Sequence, residues 1–198
     1  MIRVAITGGL GSGKSTVLEI LGKKGAVTLS ADDIAKEMIS PGGPAYNPVA
    51  RRFPDALKAD QSIDPARLAA KVFTDARSLA WLNGLVHPLV AHKLRDMMDQ
   101  MQKDGIRAVA VEVPLLVEAG MTDMFDVVIA VNAPVEERVK RMVAAGWKDA
   151  PARRRMENQI SDEERSAAAT EVIENVGTPQ QLRGKVDRLW KRLTQAAK

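Results

Sequence analysis

Near the start of the chain, Gly8-Gly-Leu-Gly-Ser-Gly-Lys-Ser15 satisfies the pattern G-x-x-x-x-G-K-[ST] through Gly8, Gly13, Lys14 and Ser15. The apolar run 2–6 precedes it and a helical pattern over 16–21 follows, the strand, glycine loop and helix context that a phosphate-binding loop requires. Glycines let successive backbone N–H groups turn inward onto a phosphate, and the helix N-terminus adds the positive end of its dipole. The expected cradle is Gly9, Leu10, Gly11, Ser12, Gly13, Lys14, Ser15 and Thr16. Lys14 is expected to reach the β- and γ-phosphates, and the Ser15 hydroxyl to ligate Mg²⁺. The chemistry these residues suit is binding of a nucleoside triphosphate, with ATP and Mg²⁺ as the expected pair. A glycine-rich turn without a ligand is the bland alternative, and the complete motif in this order argues against it.

The elements that must position the loop follow from the apolar pattern. Runs over 2–6, 26–29, 108–113, 127–131 and 171–173 read as strands. Helical patterns separate them, which is the signature of a parallel sheet covered on both faces. The expectation is therefore an α/β fold of the P-loop NTPase type, with a five-stranded parallel sheet flanked by helices. The first helix should run from the loop to about Gly25, and a second from near Asp32 to the breaker Pro41-Gly-Gly-Pro44. From there to Gly105 only helical patterns occur, with helix starts at Asp64-Pro65 and Asp75. A further helical pattern over 88–103 carries Leu89, Val90, Leu94, Met97, Met98 and Met101. Such an insertion is too long for a simple crossover and suggests a substrate-binding subdomain. Asn132-Ala-Pro134 opens a helix ending near Gly146, and Ala150-Pro151 opens another that is rich in arginine. Ser161-Asp-Glu-Glu164 fits a capping box. These charged helices, joined at a glycine, resemble a hinged lid. Thr178-Pro179 starts a last amphipathic helix with Leu182, Val186, Leu189, Trp190 and Leu193. The expected organisation is one P-loop domain. Its core covers about 1–33, 106–133 and 168–198, the helical insertion about 34–105 and the lid about 134–167.

Composition narrows the function further. With 198 residues and 45% hydrophobic content, the chain can bury a core, and no stretch approaches the roughly 20 uninterrupted apolar residues of a membrane span. The chain enters a strand with no charged-then-apolar leader, so export is not expected. The absence of cysteine removes disulfides, thiol nucleophiles and cysteine-bound metals, and a cytoplasmic location is expected. His87 and His92 alone do not make a typical zinc site. The net charge is +4, and the segment from Glu136 to Arg155 alone carries an equal excess of cations. With aromatics at 4%, a stacking platform for nucleic acid is not expected, and the basic segment suits a phosphate-rich small substrate. A solvated helix face is the plainer reading of any single arginine there. No membrane partner is expected, and the chain is expected to be a monomer or weak homo-oligomer.

Among P-loop proteins, small-molecule kinases fit these features best. There is no Asn/Thr-Lys-x-Asp segment to read guanine, and the strand expected to carry an acidic metal-side residue reads Val109-Ala-Val-Glu-Val-Pro114, with Glu112 but no aspartate. The residues then resemble one family, the dephospho-coenzyme A kinases. Thr7-Gly-Gly-Leu-Gly-Ser-Gly-Lys-Ser15 is similar to that family's loop, and Leu29-Ser-Ala-Asp-Asp-Ile-Ala35 falls at its Asp-Ala-Asp element. Pro41-Gly-Gly-Pro-Ala45, Trp81-Leu-Asn-Gly-Leu-Val-His-Pro88 and Val113-Pro-Leu-Leu-Val-Glu118 follow in the family's order. Arg155-Met-Glu-Asn-Gln159 and Val172-Ile-Glu-Asn-Val-Gly177 resemble its lid and nucleotide-base segments. The resemblance extends from residue 2 to about 190. The family's first aspartate is Ser30 here and its second is Asp32, with Asp33 as an extra acid. An Ala-Asp pair usual before the last strand reads Ala169-Thr170.

The resemblance implies phosphorylation of the ribose 3′-hydroxyl of dephospho-coenzyme A by ATP. It implies Asp32 as the group that orients the hydroxyl and serves as base, a plain helix N-cap being the alternative. It implies Lys14 and a lid arginine, Arg141 or Arg155 with Arg138 behind them, as the charges on the transferring phosphoryl group. Thr7, Asp32, Asn83, His87, Leu115 and Glu118 are the residues implied for the acceptor side. His87 is read as a substrate contact or structural group at a helix junction rather than as the base. Asn175 and Gly177 are implied at the adenine, and Glu112 either acts on Mg²⁺ through water or makes a structural pair. Other readings are a nucleoside or nucleoside monophosphate kinase, in which Arg51-Arg52 would bind the acceptor, a nucleotide-dependent switch, and a nucleic-acid-binding ATPase.

Overall fold

The structure, a computed structural model, describes residues 1–196. In chain order its elements are β1 (Ile2–Thr7), α1 (Lys14–Lys23), β2 (Val27–Ser30), α2 (Ala31–Ile39), α3 (Tyr46–Arg52), α4 (Pro65–Val72), α5 (Ala76–Lys103), β3 (Ala108–Glu112) and β4 (Val127–Asn132). They continue with α6 (Val135–Ala144), α7 (Asp149–Glu157), α8 (Asp162–Ala167), β5 (Glu171–Glu174) and α9 (Pro179–Ala196). The chain divides into two compact units, one of residues 1–30 with 100 onward, the other of residues 31–99.

The first unit is built on a five-stranded sheet in the order β2-β3-β1-β4-β5, parallel at every pairing. β1 lies at its centre, with Val4 opposite Ala110 of β3 and Val127 of β4. Its three central strands carry continuous apolar runs because both faces are covered there: Val4, Ala5 and Ile6, Ala108 to Val111, and Val128 to Val131 are all buried, while β2 and β5 at the edges are mixed and partly exposed. On one face α1 and α9 contribute Val17, Leu21, Leu182, Val186 and Leu189 to a core with Val4, Ile6, Ile129, Val131 and Ile173. Trp190 and Leu193 flank it, half-buried. Parallel strands bring the segments after β1, β3, β4 and β5 to the carboxyl end of the sheet, where ligands bind in open α/β folds. The expected fold class is the observed one.

The second unit contains α2, α3, α4 and most of α5. Two expectations need correction there. The segment is not purely helical, because Leu57 and Ile63 form an isolated antiparallel bridge. More consequentially, α5 runs unbroken through Pro88, so His87-Pro88 lies inside a helix and not at a junction. A proline removes a helical donor and is expected to break the helix. Here Val86, Val90, Leu94 and Met98 form a buried stripe at four-residue spacing across the proline, so packing holds both halves on one axis. The carbonyl deprived of its donor belongs to Gly84, on an exposed turn open to water.

Candidate active site

β1 delivers the phosphate loop, and Thr7 at its end is fully buried, its Oγ1 donating to Pro114 O at 3.3 Å. The loop closes on itself through Ser12 N to Gly9 O at 3.1 Å, and α1 begins with Val17 N donating to Gly13 O at 3.1 Å. Gly13 has φ +103°, a left-handed conformation that disfavours side chains, and a Cβ there would overlap the Asn175 amide. The Lys14 side chain is buried along the loop, with Nζ donating to Gly9 O at 3.1 Å. Ser15 Oγ donates to Glu112 Oε1 at 3.2 Å, which sets a hydroxyl and a carboxylate side by side at the ends of α1 and β3. Ser12 Oγ is fully buried and has no protein partner.

Side chains from outside the loop hold its carbonyls. Leu10 O accepts from Arg138 Nε at 2.9 Å, while Gly11 O and Ser12 O each accept from Arg141 Nη1 at 3.2 Å. Ser12 O also accepts from Asn175 Nδ2 at 2.7 Å, and Asn175 O accepts from Arg141 Nη2 at 2.9 Å. Asn175 is placed by its own backbone N–H, which donates to Asn132 O at 2.7 Å just beyond the β4–β5 pairing. In a planar trans peptide the C=O and N–H point in opposite directions, so engaging the carbonyls on the outside turns the neighbouring N–H groups the other way. Two loop N–H groups instead have protein acceptors, Ser12 N on Gly9 O as above and Leu10 N on Gln159 Oε1 at 2.8 Å.

Arg138 is 5% exposed, and its Nη1 reaches both Asp162 oxygens, at 3.3 and 3.1 Å. Burial lowers its pKa from the ordinary guanidinium value, with Asp162 opposing the shift. Arginine stays protonated regardless. Asp162 also accepts from Arg165 Nη1 at 2.7 Å, and Arg165, 1% exposed, donates through Nη2 to Ile160 O at 2.8 Å. The expected capping box fixes this helix start. Glu164 N donates to Ser161 Oγ at 3.1 Å, and Ser161 N to Glu164 Oε2 at 2.9 Å.

The remaining cations of the stretch behave differently. Arg153 forms a fork on Glu136 at 2.7 and 2.8 Å and bonds Asp149 at 2.9 Å, while Lys140 pairs with Glu137 at 2.9 Å. The Arg153 contact holds the Glu136 carboxyl below its usual range. Arg155 is exposed, with its guanidinium 5.7 Å from the Trp147 ring centre. Leu115 and Glu118 are exposed in the turn after β3, and Gly177 follows β5 with φ +96°.

In the second unit, Asp32 is the second residue of α2 and is exposed. Asp33 beside it pairs with Lys36 at 2.6 Å. Both acids lie in the first turn, where the helix dipole favours them. Asn83 and His87 are one turn apart on α5, both half-buried. Arg52 stacks 4.6 Å from the Trp81 ring centre, and Trp81 meets Phe53 edge-on at 5.8 Å.

No local pattern in the sequence signals the grip of Arg138 and Gln159 on Leu10, or the sharing of Asp162 with Arg165. The nearest local feature is the capping box, which sets Asp162 at the start of α8.

A family model described as dephospho-CoA kinase matches residues 2–181. The chain belongs to that family. A dephospho-CoA kinase of Thermobifida fusca (strain YX) is 40% identical over 195 residues, covering 98% of this chain and 96% of the relative. Among solved structures, TT1252 from Thermus thermophilus is similar at a TM-score of 0.80 and 32% identity, with 97% of each chain covered. The dephospho-CoA kinase from Campylobacter jejuni is similar at a TM-score of 0.74 and 25% identity, covering 99% of this chain and 98% of that one. The family match thus includes the phosphate loop and every residue described above that grips it.

Proposed function

We infer that this chain transfers the γ-phosphoryl group of ATP to the ribose 3′-hydroxyl of dephospho-CoA, giving ADP and CoA, the last step of CoA biosynthesis. The observation that carries this reading is an intact phosphate loop, with its carbonyls held outward, in a chain that belongs to the dephospho-CoA kinase family. The unpartnered buried Ser12 hydroxyl and the buried Lys14 suit an anionic phosphate chain.

Transfer of this kind depends on positioning and charge neutralisation more than on basicity. Lys14 supplies positive charge to the phosphates. Arg141 has both terminal nitrogens on backbone carbonyls, which favours it as a holder of the loop and Arg155, exposed on α7, as the arginine for the transferring group. Asp32 orients the acceptor hydroxyl and accepts its proton, with Thr7, Asn83, His87, Leu115 and Glu118 on the acceptor side, and Asn175 and Gly177 serve the adenine end. The support for these assignments is the family motif. Ser15 and, through water, Glu112 are the oxygen donors that suit Mg²⁺, and their 3.2 Å contact supports that pairing. Mg²⁺ bound there would neutralise part of the phosphate charge.

We take the chain to act in the cytoplasm, as a monomer or weak homo-oligomer without a nucleic-acid or membrane partner. The cysteine-free composition and low aromatic content support this. No described helix is long and apolar enough to cross a membrane.

The test is ADP release with ATP and Mg²⁺, comparing dephospho-CoA, AMP, a nucleoside and no acceptor. Stimulation by dephospho-CoA alone is expected, and equal rates without acceptor would replace transfer with hydrolysis or switching. Asp32→Ala is expected to abolish transfer while calorimetry still shows ATP binding. Near-normal turnover in that variant would remove Asp32 from the chemistry.

A further inference from the structure

We propose that Arg138 is a positioning residue for phosphoryl transfer, holding the phosphate loop at Leu10 and tying that point, through Asp162, to the start of α8. The proposal rests on the transfer reading above. Both polar backbone groups of Leu10 are taken by side chains of the 134–167 segment, the N–H by Gln159 and the C=O by Arg138. Arg138 makes the second bond while its Nη1 engages Asp162, so one side chain spans the loop and α8. A guanidinium offers donors on separate nitrogens of one rigid plane, here Nε and Nη1, whereas the donors of a lysine ammonium share a single nitrogen and do not reproduce that spacing. Asp162 is shared with the buried Arg165, so two guanidinium groups meet one carboxylate and the cluster keeps a positive charge behind the loop.

Gly9 supplies an independent observation. The loop motif leaves its position open, and its φ lies outside the left-handed region, so the backbone does not call for glycine. A Cβ at Gly9 would overlap the Arg138 guanidinium. Glycine at this position leaves the room that the Arg138 guanidinium occupies. An alanine would push the guanidinium away from Leu10 O and reproduce the loss of Arg138 by another route.

The experiment compares Arg138→Gln, Arg138→Lys, Gly9→Ala and the double variant Gly9→Ala/Arg138→Gln, with kinetics for both substrates, calorimetric ATP binding and thermal melts. Arg138→Gln is expected to raise the KM and Kd for ATP by roughly ten- to a hundredfold, the worth of a charge-assisted bond, and to leave the KM for dephospho-CoA within about twofold. Arg138→Lys should recover little of this. Gly9→Ala should match Arg138→Gln, and the double variant should be no worse than either single one, because both remove the same contact. An ATP affinity within about twofold of wild type in Arg138→Gln would overturn the proposal, as would additive losses in the double variant. Equal shifts in both substrates' KM with a lowered melting temperature would reduce Arg138 to a structural residue. If wild-type protein shows no acceptor-dependent ADP release, the transfer reading fails on that control, and the calorimetric ATP affinities still decide whether Arg138 positions the loop.

Discussion

Arg138 and Arg153 belong to one charged stretch, and the structure uses them in opposite ways. Arg138, with Arg141 near it on α6 and Arg165 on α8, is turned into the protein, and the α6 pair takes loop carbonyls as acceptors. Arg153 on α7 stays at the surface and is answered by Glu136 and Asp149. In the first region, positive charge is spent on shaping a phosphate loop. In the second it is neutralised locally, where solvent screens it and it contributes little. The lesson is that an excess of cations along a chain does not measure its attraction for phosphate, because partner and burial decide what each cation does.

The comparison is anchored at its strong end by Lys14→Ala, which is expected to lower kcat/KM by about two to three orders of magnitude in steady-state assays. A fall of less than about tenfold would mean that the loop is not the phosphate site and that its supports position nothing. Next comes Arg141→Ala, which strips donors from the Gly11, Ser12 and Asn175 carbonyls. It should raise the KM for ATP by roughly ten- to a hundredfold. Gly13→Ala combines a left-handed backbone with a clash against the Asn175 amide. It should lower the melting temperature by about 5–10 °C. An unchanged melt would remove Asn175 from the loop.

The weak end is Arg153→Gln. Because its partners are exposed, the melting temperature at neutral pH should move by no more than about 1 °C and rates by less than about twofold. A loss as large as that of Arg141→Ala would erase the distinction between the regions. The pH dependence has a definite sign. Glu136 is depressed by Arg153, so the pair's stabilisation is present above the unfolded carboxyl pKa and is lost as pH falls through the lower folded value. Melts of wild type and Arg153→Gln should therefore converge on acidification below about pH 4.

Legibility in the sequence differed by feature. The central strands were readable because a parallel sheet covered on both faces favours short unbroken apolar runs, as over 108–111 and 127–131. The Ser161–Glu164 capping box was readable because it is a local exchange of hydrogen bonds over one helical turn. Pro88 misled because its local preference opposes helix, and only the buried stripe from Val86 to Met98 overrides it. The bond from the Asn175 side chain to Ser12 O has no local signal, because it joins residues far apart in the chain, and it leaves the adenine role implied for Asn175 by the family motif untouched.

The sequence by itself determined the phosphate loop, the order of strands along the chain and the family, since each depends on residue types at short or fixed spacing. Tertiary structure alone decided the spatial strand order β2-β3-β1-β4-β5, and which of several similar arginines grips the loop and which meets solvent. The physical reason is that a guanidinium's role is set by the acceptors and burial it meets after folding, and nothing in the local spelling of Arg138 and Arg153 distinguishes a buried carbonyl from an exposed carboxylate.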